Sequence, residues 1–294
     1  MTSSRYMLTI MQITDWKISM TTATILAEAA AHPFDHALAL QPVGEGVYEG
    51  VPSPRYWNMA GPFGGITAAT LLKGVLDHPA LRGRPLAQTV NFCAAITPDP
   101  FVLKVVLERD GKSTQHWSVR LEQAGQMAAN ATLVTGPERE TWAHQPAQPP
   151  DVGEASSVPV FDTAAATAWF AQYEMRFEHG AFGQDQPSHT GLTRAWLRDR
   201  QPRTLDYLAL ASMADAFAPR VFLMRGVRAP AATVSLSTYF LAAPDELAAQ
   251  GVRPILGEAQ PRAARHGFHD QSVELWSDAK SLLAVSHQLV WFKD

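Results

Sequence analysis

The 294-residue chain contains one cysteine, Cys93, so neither an internal disulfide nor a cysteine-rich metal site can form within it. A reducing compartment, the cytoplasm, is the corresponding expectation. Charged residues are also scarce, 18% of the chain against about 25% in an average soluble protein. With a formal net charge of −4 and no dense Lys/Arg run, nucleic acid is excluded as a main partner, as is a polybasic membrane patch. No uninterrupted apolar run reaches the roughly 18 residues that span a bilayer. In the first twenty residues the apolar positions are broken by Asp15 and Lys17, and no small-residue cleavage site follows. That does not suit a signal peptide, and Met7, Met11 and Met20 are further candidate starts. There is no Gly-x-Ser-x-Gly elbow, no Gly-x-Gly-x-x-Gly and no P-loop. The serine-elbow hydrolases and the common nucleotide-binding classes drop out with them.

What the chain does have is apolar sequence, 46% hydrophobic, enough for one large domain or two modest ones. TTATILAEAAAH (Thr21 to His32) suits a helix capped by Thr21 or Thr22. Two short strands around a Pro/Gly turn follow in ALALQPVGEGVYEGVPS. GPFGGITAATLLKGVL (Gly61 to Leu76) opens on glycines and continues as a helix with almost no polar face, which must be wrapped on all sides. AQTVNFCAAI, FVLKVVLERDGK, STQHWSVRLEQAG and QMAANATLVTG read as strands parted by Pro-Asp, Asp-Gly and Ala-Gly turns.

Between Gly136 and Pro159 five prolines mark an extended linker. The order then recurs. YEMRFEHG and LTRAWLRD read as strands, RTLDYLALASMADAF as a second helix apolar all round, and ATVSLSTYFLA, ARHGFHDQSVELWSD and SLLAVSHQLVWF as further strands. QTVNFCAAITPD is similar to ATVSLSTYFLAAPD, and RLEQAGQMAANATLV to ELWSDAKSLLAVSHQLV. Two such matches fit a duplication better than a solenoid, which needs at least three repeats. The expected boundaries are 20–136 for the first repeat, 137–165 for the linker and 166–294 for the second. The expected class is α+β, since a sheet with one central helix covers it best by curling around it.

VYEGVPS, FGGITAATL and VLERDGKSTQHWSVRLEQAGQMAANATL in the first half, with LTRAWLRD, LDYLALASMAD, ATVSLSTYF and LLAVSHQ in the second, together resemble the double-hotdog, type II acyl-CoA thioesterase family. The resemblance covers about Phe34 to Phe292. It implies two tandem hotdog repeats whose sheets form a continuous surface, and hydrolysis of acyl-CoA to CoA and a carboxylic acid without metal or organic cofactor. It also implies a homodimer or larger assembly. The family's catalytic Asp, Thr and Gln fall on Asp215 in ALASMADAF, Thr233 in AATVSLSTYF and Gln288 in LAVSHQLVW. A Leu follows Gln288 where the family often has Glu-Gly, so His287 and Ser286 are the nearest competing positions. Gly64 and Gly65, at the first helix start, are the implied contacts to the thioester carbonyl.

Thioester hydrolysis needs an activated water and a donor for the developing oxyanion. An acid in apolar surroundings has a raised pKa, and a hydroxyl and an amide each offer both a donor and an acceptor. The plainer readings are an Asp215 paired with Arg220 or Arg225, and a Gly64-Gly65 pair that simply permits close packing. Thr89 and Thr132 stand at the first-half places of Thr233 and Gln288, and that half's helix has no acid, so one site per chain is expected. His266, His269 and Asp270 have a spacing that invites a metal reading but lack further ligands. GQDQPSH (Gly183 to His189) resembles a hotdog enoyl-CoA hydratase signature with its spacing one residue short. That hydratase, and a non-catalytic acyl-CoA or lipid-binding module, are the rival functions.

Overall fold

The structure is a computed structural model that describes residues 32–164, 166–181 and 187–293. The expected helix at Thr21 therefore lies outside the described residues up to His32. The chain divides into two compact units, Met1–His36 and Ala37–Asp294. The described part of the first unit is residues 32–36, most of a short helical turn at Pro33–Ala37. All that follows concerns the second unit.

In chain order its elements are strands β1 (Gln41–Gly44) and β2 (Val47–Gly50), helix α1 (Gly64–Leu76), then β3 (Arg84–Phe92), β4 (Phe101–Asp110), β5 (Gln115–Gln123) and β6 (Gln126–Gly136). After the linker come β7 (Tyr173–His179), β8 (Thr193–Asp199), α2 (Tyr207–Met213), α3 (Arg220–Arg225) and β9 (Ala231–Phe240). The last are α4 (Pro244–Gln250), β10 (Ile255–Gln260), β11 (Ala264–Arg265), β12 (Phe268–Trp276) and β13 (Leu282–Phe292). The strands form a single sheet ordered β1-β2-β4-β5-β6-β3-β9-β13-β12-β10-β8-β7, with β11 beside β12. Read inward from either edge the permutation is the same, with β7, β8, β10, β12, β13 and β9 in the places of β1, β2, β4, β5, β6 and β3. The architecture is a double hotdog. Its halves are joined where β3 pairs antiparallel with β9, Ala87 opposite Tyr239 and Val90 opposite Leu236.

Helix α1 is buried from Gly65 to Leu72. Its two threonines return their hydroxyls to carbonyls one turn back, Thr67 to Phe63 and Thr70 to Ile66, which satisfies them without water. Helix α2 starts on Asp206, whose carboxylate accepts from the Ala209 N–H at 2.8 Å. The two central helices pack on each other, and glycine sets how closely. A Cβ built on Gly65 would stand 2.3 Å from the Ser212 carbonyl oxygen.

Three features differ from the sequence expectations. The second central helix is shorter than RTLDYLALASMADAF suggests and ends at Met213. The Asp215 N–H bonds to the Ser212 carbonyl and that of Ala216 to Met213. The last turn has thus tightened to three-residue closure, and Pro219 bars its continuation. Asp215 therefore sits in a turn just past the helix. Helices α3 and α4, and strand β10, were not anticipated. ILGEAQ opens on three consecutive buried residues and alternates only over its last four, too short a stretch for periodicity to identify. No helix among the described residues is long and apolar enough to cross a membrane.

Gly65→Ala is expected to destabilise the fold by about 1–3 kcal/mol or more, through forced separation of the two helices. Thermal denaturation should show a Tm several degrees lower. An unchanged Tm would mean that the helix contact is not close-packed.

Candidate active site

The sheet's alternation decides which side chains reach the interior. Along β13, Ser286, Gln288 and Val290 are buried while His287, Leu289 and Trp291 face outward. His287 bonds the Ser272 hydroxyl on the outer face at 3.0 Å. Ser286 is inside but caps the Ala214 carbonyl at 3.2 Å. Gln288 faces inward, and a bulge between Leu289 and Val290 shifts the register so that Thr233 of β9 lies opposite Val290. The Thr233 hydroxyl still reaches across and donates to Gln288 Oε1 at 2.9 Å. That bond fixes the amide's orientation and leaves its NH2 to donate to the Asp215 carboxylate, which also accepts from the backbone N–H of Gly65. Thr233, Gln288, Asp215 and the start of α1 thus form one hydrogen-bonded chain.

Both glycines are explained by this proximity. A Cβ on Gly64 would stand 2.6 Å from Asp215 Oδ2, so no larger residue fits there without moving the acid. Gly65 gives its N–H to the carboxylate. Gly64, Asp215, Thr233 and Gln288 all line one cavity of about 580 Å³. Its walls are largely apolar, including Phe92, Ile96, Phe217 and Phe222. Trp169 stacks on Phe63 at 4.1 Å between ring centroids and 8° between planes, beside the α1 start.

Asp215 is 8% exposed. Burial pushes its carboxyl up from 3.8 to about 7, against the hydrogen bonds from Gln288 and Gly65 that favour the ionised form. Neither of those bonds comes from an arginine. Arg220 is fully buried. It donates to the carbonyls of Ala218 and Gly191, to Thr193 Oγ1 at 2.7 Å and to Gln271 Oε1 at 2.8 Å. The plain pairing of Asp215 with Arg220 is therefore not what this structure contains.

The other sequence candidates lie elsewhere. His266 is in the turn between β11 and β12 with φ of 55°. His269 and Asp270 are neighbours on β12, so their side chains take opposite faces. Gly183–Gln186 lie outside the described residues, and strand β8 follows His189. Gln271, absent from the sequence candidates, is a polar residue at an inward position of β12 and also lines the cavity. Its only sequence signal was that alternation.

Two family models match, the acyl-CoA thioesterase N-terminal domain over residues 53–136 and the C-terminal domain over residues 137–292. A hot dog fold protein of unknown function from Alicyclobacillus acidocaldarius is 41% identical, with 90% of this chain and 99% of that one covered and a TM-score of 0.87. A putative thioesterase II from Thermobifida fusca is 20% identical, covering 89% and 97%, with a TM-score of 0.76. An acyl-CoA thioesterase II from Mycobacterium marinum is 18% identical, covering 88% and 98%, with a TM-score of 0.70. At those last two identities the likeness is one of fold. No curated protein matches the chain.

The buried acid has a consequence for stability. Its pKa is higher in the folded chain than in the unfolded one, so the folded state binds the proton more tightly. The associated stability is present in full below pH 4 and is lost as pH rises through about 7. A rise of about three units corresponds to about 4 kcal/mol. Asp215→Asn removes this titration, so its Tm relative to wild type should rise steadily from pH 4 to pH 8. Any constant effect of swapping an acceptor for an amide cancels in that comparison. A difference independent of pH in calorimetric scans would show that the acid is not buried in this way.

Proposed function

Because this chain belongs to the acyl-CoA thioesterase family, we propose that it hydrolyses acyl-CoA thioesters to free CoA and a carboxylic acid. In this reading a water held by Asp215, Thr233 and Gln288 attacks directly. The supporting observation is the hydrogen-bonded chain from Thr233 through Gln288 to an acid titrating near neutrality on the wall of an apolar cavity.

Each group has a separable part. Ionised Asp215 accepts a proton from the water as its oxygen adds to the thioester carbon. A base with a pKa near the working pH is well matched to that task. The Thr233 proton is directed to Gln288, which leaves a hydroxyl lone pair to accept the water's second hydrogen. Gln288 carries no charge. It ties the hydroxyl to the carboxylate and keeps both on one side of the cavity. At the α1 start the N–H of Gly65 is committed to Asp215, so the carbonyl contact falls to Gly64 on the cavity wall. There the positive end of the helix faces the developing oxyanion. Collapse of the tetrahedral intermediate breaks the C–S bond, and the proton held by Asp215 passes to the CoA sulfur. No acyl-enzyme and no cofactor enter this scheme.

A panel of acyl-CoAs from acetyl to palmitoyl, with free thiol followed, tests the reading. Asp215→Asn should lower kcat by about 10³ or more, and Thr233→Ala or Gln288→Ala by about 10²–10³. The base must be ionised, so kcat/KM should fall with unit slope as pH drops below about 7. Binding of acyl-CoA by the wild type without release of thiol would point instead to a non-catalytic module. Hydration of crotonyl-CoA without thiol release would point to a hydratase.

A further inference from the structure

Asp215, Ala216 and Phe217 lie in the turn between α2 and α3, and that turn is pinned at both ends. Before the acid, the Ala214 carbonyl accepts from the Ser286 hydroxyl of β13 at 3.2 Å. After it, the Ala218 carbonyl accepts from Nε of Arg220 at 3.0 Å and again from Nη2. The same guanidinium reaches two further segments. Its Nη1 donates to the Gly191 carbonyl at 3.1 Å and to Thr193 Oγ1 at 2.7 Å, at the start of β8. Its Nε also donates to Gln271 Oε1 on β12 at 2.8 Å. Strand β10 runs between β12 and β8, and Phe217 packs on it at Gly257, where a Cβ would stand 2.4 Å from the ring. One planar fork thus ties the acid's turn to the strands on either side of the one it covers.

Arg220 is fully buried, and among the described residues its hydrogen bonds all go to uncharged oxygens. A buried cation without a counter-charge is costly, and stability alone often favours an apolar residue at such a place. What a guanidinium adds is direction. Its donors leave in one plane at fixed angles, so it holds oxygens from separate segments in a set arrangement with little further loss of freedom.

We propose that Arg220 is a positioning residue, which holds the 214–219 turn so that the Asp215 carboxylate stays against Gln288 and the start of α1. This rests on the hydrolase reading given above. Arg220 does not line the cavity, whereas Asp215, Phe217, Ala218 and Pro219 do, so it acts through the acid and not on the substrate. Without the fork, the Ala218 end of the turn moves outward and draws the carboxylate away from Gln288 and Gly65. A misplacement of about 1 Å in a reacting group costs about 10²-fold in rate. Burial is what raises the acid, so a carboxylate that reaches water falls back toward 3.8. The titratable neighbour of Asp215 on β7, Tyr173, is fully buried and held well above its ordinary range by that burial, so it stays neutral throughout.

The test is Arg220→Lys, which keeps the charge and loses the fork. With hexanoyl-CoA, kcat should fall about 10²-fold while KM changes little. The Asp215 titration, followed by NMR on isotope-labelled aspartate and assigned with Asp215→Asn, should move down from about 7 by at least about one pH unit. Thr193→Val removes one of the fork's acceptors and should shift both readouts the same way by less, so the comparison survives if the lysine variant does not fold. Tm is read on every variant. A wild-type kcat and an unmoved Asp215 midpoint in folded variants of lowered Tm would overturn the proposal, because the fork would then serve stability alone. A raised KM at unchanged kcat would also overturn it, by placing Arg220 in substrate binding. If wild type released no CoA, the hydrolase reading itself would fail. The Asp215 midpoint needs no turnover and still decides whether Arg220 holds the acid in place.

Discussion

The approach of the α1 start to the end of α2 is the contact from which the rest of the site is built. Gly64 and Gly65 let the backbone of the first repeat's helix come against Asp215 and the Ser212 carbonyl of the second, and this brings a helix-start N–H to a buried acid. Neither repeat supplies that combination alone. The first has the glycines and no acid on its helix, and the second has the acid, the hydroxyl and the amide. The β3–β9 pairing that makes the sheet continuous holds the two in place.

Two neighbouring electrostatic systems follow, one on the cavity wall and one behind it. In one, a carboxyl raised by burial is steadied by Gln288 and Gly65 and tied through Gln288 to Thr233. In the other, a buried guanidinium is solvated by carbonyls, a hydroxyl and Gln271. Burial pushes Arg220 down to about 9, still well above neutrality, so it remains a cation. The acid and the cation lie five residues apart in sequence and are not hydrogen-bonded to one another. A direct pair would have held the carboxyl low and made it a poor base at neutral pH.

Much of the fold was legible because its signals are local. Strands β3 to β6 and β7, β8, β9, β12 and β13 carry alternation and turn residues, and α1 shows its all-round burial in composition. The two local similarities between halves, at β3 and β9 and at β5–β6 and β12–β13, fall on strands that occupy equivalent places in the sheet. Helices α3 and α4 escaped because six or seven residues make about two turns, too few to show a helical period, and β10 because its first three residues are all buried. The end of α2 escaped because a tightening last turn leaves the apolar pattern unbroken.

The sequence by itself determined the order of the longer elements, their repetition, and, through resemblance, three side chains and a glycine, Gly64, that line one cavity, with Gly65 beside them. Alternation along β13 turns Gln288 inward and His287 outward once the strand is placed. Only the tertiary structure decided that Asp215 lies beyond its helix, that Gly65 spends its N–H on the acid, and that Gln271 stands beside Gln288 with its oxygen turned to Arg220. Those outcomes depend on register across a bulge and on the approach of backbones distant in sequence. Distances between such segments are set by packing of the whole sheet around its helices, and no local pattern of residues encodes them.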